Sequence, residues 1–151
     1  MAYAEENEIT HKYYKPTEQT TDAYLASIDL AVEGGAKIIV TPGFLFEAPI
    51  FAQDMYEDVH FILVDGNPND GDWSKPEGPE YRTNDNVVGI VYAEEQSGYL
   101  AGYAAVKDGY TKLGFMGGMA VPAVVRFGYG FAQGAEAAAA ELGIDNIDLK
   151  Y

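Results

Sequence analysis

The chain contains no cysteine. Disulfides, thiolate metal sites and cysteine nucleophiles are therefore all excluded. Histidine is almost as scarce: His11 and His60 are the only two, too few for a histidine-rich zinc site, and no metal or cofactor is expected. No apolar run is long enough to span a bilayer. The amino-terminal MAYAEENEIT lacks the basic and apolar regions of a signal peptide, so neither an export signal nor a lipid anchor is expected within these residues. Basic residues are few. Nine Lys and Arg against 24 Asp and Glu leave a formal net charge of -15. That surface repels a polyphosphate, which argues against a nucleic-acid partner, and disfavours anionic membranes.

Enzymatic signatures are missing too. GFMGGM (114–119) lacks the GK[ST] ending of a phosphate loop, and its glycines are misplaced for a dinucleotide fingerprint. There is no G-x-S-x-G elbow. Glu5–Glu6 and Glu94–Glu95 are sequence neighbours, which do not face one another on a helix, so they read as solvated faces or caps rather than an acid/base pair. An enzyme is not expected.

What is present is a series of short apolar runs alternating with helical patterns. The 151 residues suffice for a compact α/β domain with its own core. HKYYK (11–15) reads as a short strand closed by Pro16. Thr20, Thr21 and Asp22 can cap a helix whose Tyr24, Leu25, Ile28, Ala31 and Val32 share one face, with Gly34 and Gly35 as its stop. KIIVT (37–41), HFILV (60–64) and VVGIVY (87–92) are continuous apolar runs typical of buried parallel strands. A helix over about 48–56 separates the first two, and the spacing implies parallel crossovers. Residues 66–86, rich in Gly, Pro, Asn and Asp, form a long loop, which signals function or mobility. Helices are expected over 94–107 and about 124–142, with KLGFM (112–116) as a strand between them and a last strand from Asn146. Gly98, Ala101, Gly102 and Ala105 form a small-residue seam, which reads as helix packing before any ligand role.

In open parallel sheets, ligands sit beyond the carboxyl ends of the strands. Gly43, Phe44 and Phe46 follow KIIVT there, Asp65 follows HFILV, and Gly117, Gly118 and Met119 follow KLGFM. Aromatic rings offer stacking area, a carboxylate accepts strong hydrogen bonds from a hydroxyl or base N–H, and glycines let backbone amides approach a ligand. Plain structural readings stand beside these. Phe44 and Phe46 can be core plugs, Asp65 a loop cap, and the glycine pair a simple turn.

ILVDG, NVVGIVYAEEQSGYLAGYAA and KLGFMGGMAVPAVVRFGYGFAQGAEAA, in this order and spacing, resemble the basic membrane protein (BMP) family of substrate-binding proteins. The resemblance runs from about Lys37 onward. It implies an incomplete type I periplasmic-binding-protein-like fold: a three-layer α/β parallel sheet with a flavodoxin-like lobe. It further implies a solute-binding component of an ABC-type importer, lipid-anchored outside the cytoplasm, working with a permease and binding purine nucleosides. Carried over, Asp65 matches the family's acidic residue, Phe44 lies in the glycine–aromatic turn, Met119 in the second turn, and Arg126 is a further candidate. Family members are about twice as long, so the chain reads as truncated: 1–111 a first lobe without its first strand and helix, 112–151 the start of the second lobe. Because the lost strand is central in such lobes, KLGFM is expected to take its place in the sheet, with the following helix standing in for the lost one. Strand exchange in a homodimer is the alternative. The rival functions are the sensing domain of a transcription regulator and a flavodoxin-like domain without binding activity.

Overall fold

The computed structural model describes residues 2–151. The chain divides into two compact units, the first running through Val91 and the second spanning Tyr92–Tyr151. In the first unit α1 (Ala2–Glu6) and α2 (Thr21–Glu33) precede β1 (Ile38–Pro42). A 3-10 turn at Phe44–Phe46, α3 (Glu47–Phe51) and a second 3-10 turn at Gln53–Tyr56 lead to β2 (His60–Val64), and β3 (Val87–Ile90) closes the unit. The single helix read over about 48–56 is thus broken into α3 and the second 3-10 turn. The second unit holds α4 (Glu94–Lys107), β4 (Lys112–Gly114), α5 (Pro122–Leu142) and β5 (Asp148–Lys150).

The three apolar runs pair as a parallel sheet in the order β1-β2-β3. Their register aligns Val40 with Ile62 and Ile62 with Val88, so alternate residues face opposite sides together. One side is the core: Phe61, Leu63 and Val87 are buried there, and Phe61 and Val87 pack with Ile28 of α2, Ile50 of α3, Tyr56 and Val59. Thr20 accepts the Ala23 N–H and starts α2, and Gly35, at φ 86, supplies the left-handed residue that stops it. The Tyr56 hydroxyl donates to Asp29 Oδ1 at 2.6 Å, tying α2 to the layer beneath; burial and that carboxylate push the phenol up to about 12. On the opposite side Ile38, Val40, Val88 and Ile90 are exposed. Within this unit, the helices that contribute to the core pack on one face of the sheet.

Two expectations are corrected here. Residues 11–15 form no strand: this stretch has no backbone partner to pair with, and Tyr13 is exposed while Lys12 lies over the Tyr14 ring. Nor does KLGFM enter the sheet beside β1. β4 pairs in parallel with β5, Lys112 opposite Asp148 and Gly114 opposite Lys150, in a two-stranded sheet of its own. The cause is local packing. Ala135, Ala138 and Ala139 of α5 and Val106 of α4 form a core against which Leu113, Ile144 and Ile147 rest, so both strands are held by nearby helices. α4 is grouped with this unit, whose first residue is Tyr92.

α4 and α5 pack closely through four glycines. A Cβ on Gly98 or Gly102 would overlap the carbonyl oxygen of Phe127 or Phe131, and one on Gly130 or Gly134 would overlap that of Glu95 or Tyr99. Each helix thus presents its glycines to the other's backbone, a contact no larger residue permits. The seam read in the sequence is helix packing.

The loop 66–86 is pinned by side chains. Fully buried Gln53 donates from Nε2 to the Arg82 carbonyl at 2.8 Å, and its Oε1 accepts the Asn84 N–H at 2.7 Å. Asn86 Nδ2 faces the carbonyls of Gln53, Tyr56 and Val59, and Arg82 Nη2 donates to the Phe51 carbonyl at 2.9 Å while its guanidinium pairs with Asp54. These bonds satisfy a segment that has little sheet ladder of its own.

Two predictions follow from this packing. Gly102→Ala and Gly134→Ala should each cost about 2 kcal/mol in chemical denaturation followed by circular dichroism, whereas Gly118→Ala, which has open space around its Cβ, should stay within about 0.5 kcal/mol. Equal effects at all three positions would contradict the close helix contact. Gln53→Ala should lower stability by about 2 kcal/mol and make the 66–86 loop cleavable in limited proteolysis; unchanged cleavage would show that the loop is held by something else.

Candidate functional site

β1 and β2 end together. Pro42 aligns with Val64 in register, and the next residue, Gly43, donates its N–H to the Val64 carbonyl at 2.7 Å. Gly43 sits at φ 108, a conformation that suits glycine and turns the chain sharply out of the strand. Phe44–Phe46 follow as a 3-10 turn. Its two aromatic residues separate in role. Phe46 packs its ring against Tyr24 with centroids 4.5 Å apart and joins the core, as the plug reading anticipated, while Phe44 stays 38% exposed at the strand end.

Asp65 follows β2. Its N–H donates to the Ile90 carbonyl at 2.7 Å, and its backbone takes the left-handed conformation at φ 69. Aspartate visits that region more readily than most residues, but there is still a conformational cost that the surroundings must offset. The Asp65 carboxylate is half-buried and makes no hydrogen bond or ion pair among the described residues. Gly43, Phe44 and Asp65 thus lie at adjoining strand ends, Phe44 exposed and Asp65 half-buried.

The second unit has its own strand-end turn. The Phe115 N–H donates to the Lys150 carbonyl at 2.8 Å, and Gly117, Gly118 and Met119 lead into α5. Gly117 is required by packing, since a Cβ there would lie 2.5 Å from Val124 Cγ1; Gly118 is open. Met119, with Phe115, Val124, Tyr129 and Tyr151, lines an apolar hollow of about 330 Å³. Phe115, Tyr129 and Tyr151 were not singled out in the sequence. The spacing of Val125 and Tyr129 on α5 was the available signal, but only the fold shows that they face Phe115.

Arg126 is engaged elsewhere. Its Nε donates to Glu94 Oε2 at 2.6 Å, joining the first turns of α5 and α4. Glu94 is buried, contrary to its reading as part of a solvated face, whereas Glu95 is exposed. The hydrogen bond from Arg126 holds the Glu94 carboxyl below its usual 4.5, against the opposing effect of burial. No group of His, Asp or Glu side chains among the described residues is arranged to hold a metal ion.

Solved structures share the fold. A solute-binding protein of an ABC transporter system from Aeropyrum pernix K1 superposes with a TM-score of 0.63 at 20% identity, over 89% of this chain and 36% of that one. A second, from Conexibacter woesei, gives a TM-score of 0.58 at 26% identity, over 91% and 43%. The class defined by the fold is that of the α/β solute-binding proteins. The family described as ABC transporter substrate-binding protein PnrA-like, Bmp, matches residues 1–147, and the chain belongs to it. Among its relatives, the ABC transporter nucleoside-binding protein BmpA of Lactococcus lactis is 29% identical over 130 residues, 85% of this chain and 32% of that protein. Basic membrane protein B of Borreliella burgdorferi is 28% identical over 116 residues, 76% and 31%. The chain spans about a third of the length of these relatives.

The depressed Glu94 carboxyl makes a signed prediction. A group whose folded pKa lies below its unfolded value contributes stability above the unfolded pKa and loses it as pH falls through the folded one. The stability gap between the wild type and Glu94→Gln should therefore be widest near neutral pH and shrink below about pH 4.5 in denaturant titrations. A gap constant between about pH 7 and about pH 3.5 would contradict the pairing.

Proposed function

We propose that the chain is part of the solute-binding component of an ABC-type importer and that its first-unit strand ends contact a purine nucleoside. The family is one of substrate-binding proteins, not of enzymes, and the Lactococcus relative is named for nucleoside binding. One observation carries the reading: Asp65, an unpaired carboxylate held in a left-handed conformation, follows the strand paired with the one that leads into the exposed Phe44. A nucleoside offers the complement of both, N–H and hydroxyl donors for the carboxylate and a flat base for the ring. We read the second unit as the start of the second lobe; within it, the Gly117–Gly118–Met119 turn offers an apolar contact of its own and Arg126 acts through its hold on Glu94. In this reading the importer's permease is the partner, and the protein works outside the cytoplasm, anchored by a lipid.

Calorimetric titration with adenosine, guanosine and inosine tests this. Saturable binding of at least one is expected, with affinity lowered about tenfold by Asp65→Asn, a change the left-handed backbone tolerates. Absence of binding by all three, or an Asp65→Asn variant that binds as well as the wild type, would overturn the assignment.

A further inference from the structure

The turn that carries Asp65 is held by one side chain. Glu47, the first residue of α3, directly follows the Phe44–Phe46 turn. Its Oε1 accepts the Asn67 N–H at 3.1 Å, and its Oε2 accepts from Asn69 Nδ2 at 2.8 Å. The Glu47 backbone carbonyl also accepts the Asn69 N–H at 3.3 Å. Asn69 is buried and accepts the Gly71 N–H at 2.9 Å, so it is itself fixed. Gly66 lies between Asp65 and Asn67, and a Cβ there would sit 2.6 Å from Glu47 Oε1. The glycine is what lets the carboxylate pass close beneath the turn.

We infer that Glu47 is a positioning residue for ligand binding: it clamps the chain that follows Asp65 to the chain that follows Phe44 and so fixes the two strand-end turns relative to one another. This rests on the nucleoside reading for its effect on affinity, but the clamp itself does not. Both carboxylate oxygens reach across to residues two and four beyond Asp65, so the chain after Asp65 cannot swing without breaking a charge-assisted bond. On the other flank the Asp65 and Gly66 N–H groups donate to the Ile90 carbonyl. Asp65 is therefore bracketed, and its left-handed backbone is over-determined by its neighbours.

The test combines amide exchange with a binding cycle. In Glu47→Ala, exchange of the Asn67 amide should quicken at least about tenfold while that of Leu63 in β2 is unchanged. Glu47→Gln, which keeps the volume and an acceptor for Asn67, should fall between the two and serves if Glu47→Ala does not fold. Inosine affinity should drop about tenfold in Glu47→Ala but by less than about twofold when the same change is made in Asp65→Asn, since a residue acting through Asp65 has nothing left to position. A purely structural role would lower both backgrounds alike and would overturn the inference. Unaltered Asn67 exchange in both Glu47 variants would also overturn it, whatever the ligand. If the wild type binds no nucleoside yet Asn67 responds as stated, the clamp stands and the nucleoside assignment falls.

Discussion

Parallel pairing of β1, β2 and β3 is the constraint on which the candidate site depends. Parallel strands put all their carboxyl ends on one rim, and the register here brings Pro42, Val64 and Ile90 level with one another. Two backbone hydrogen bonds extend the ladder one residue past the strands, from Gly43 to Val64 and from Asp65 to Ile90. Each is made by a residue with positive φ, so the chain leaves the sheet abruptly at the same level twice. Phe44 and Asp65 are placed by that geometry rather than by contact with each other. A slip of one residue in either pairing would turn the strand's core face outward and move its turn out of line.

The second unit is organised by a different constraint, the approach of two helix backbones. Four glycines arranged in reciprocal pairs let the two backbones meet with no side chain between them at those four positions, and the alanine face of α5 continues the contact toward β4 and β5. At the mouth of the helix pair, Arg126 and the buried Glu94 meet. Such a pair is a poor source of net stability but a strong penalty once broken, because a buried carboxylate is left alone.

Much of this was legible in the sequence, and the exceptions have physical reasons. KIIVT, HFILV and VVGIVY announced the sheet because parallel strands are apolar at successive positions, although one of their faces is exposed here; the capping threonine and glycine pair announced α2, and the glycine spacing announced the contact of α4 with α5. HKYYK misled, since alternation and aromatic content describe what suits a strand, whereas a strand also needs a neighbour. KLGFM was legible as a strand but not in its partner, which is decided by the α4–α5 contact. The depth of Glu94 was hidden for a similar reason: the arginine that makes its burial tolerable lies 32 residues away. At the strand ends, position in the chain was enough to place Phe44 and Asp65 just beyond β1 and β2. Glu47 escaped notice because an acidic residue in the first turn of a helix is common on dipole grounds alone. Gln53 gave no signal, and its two loop contacts exist only in the folded chain.

The central claim is that the rim formed by the carboxyl ends of β1 and β2 is where this chain meets its solute. Amide chemical-shift mapping during titration with inosine examines that most directly. The account predicts saturable shifts concentrated at Gly43–Phe46 and at Asp65–Asn67, with β-strand amides far from the rim little changed. Saturable shifts confined to other segments, with those two turns silent, would contradict it.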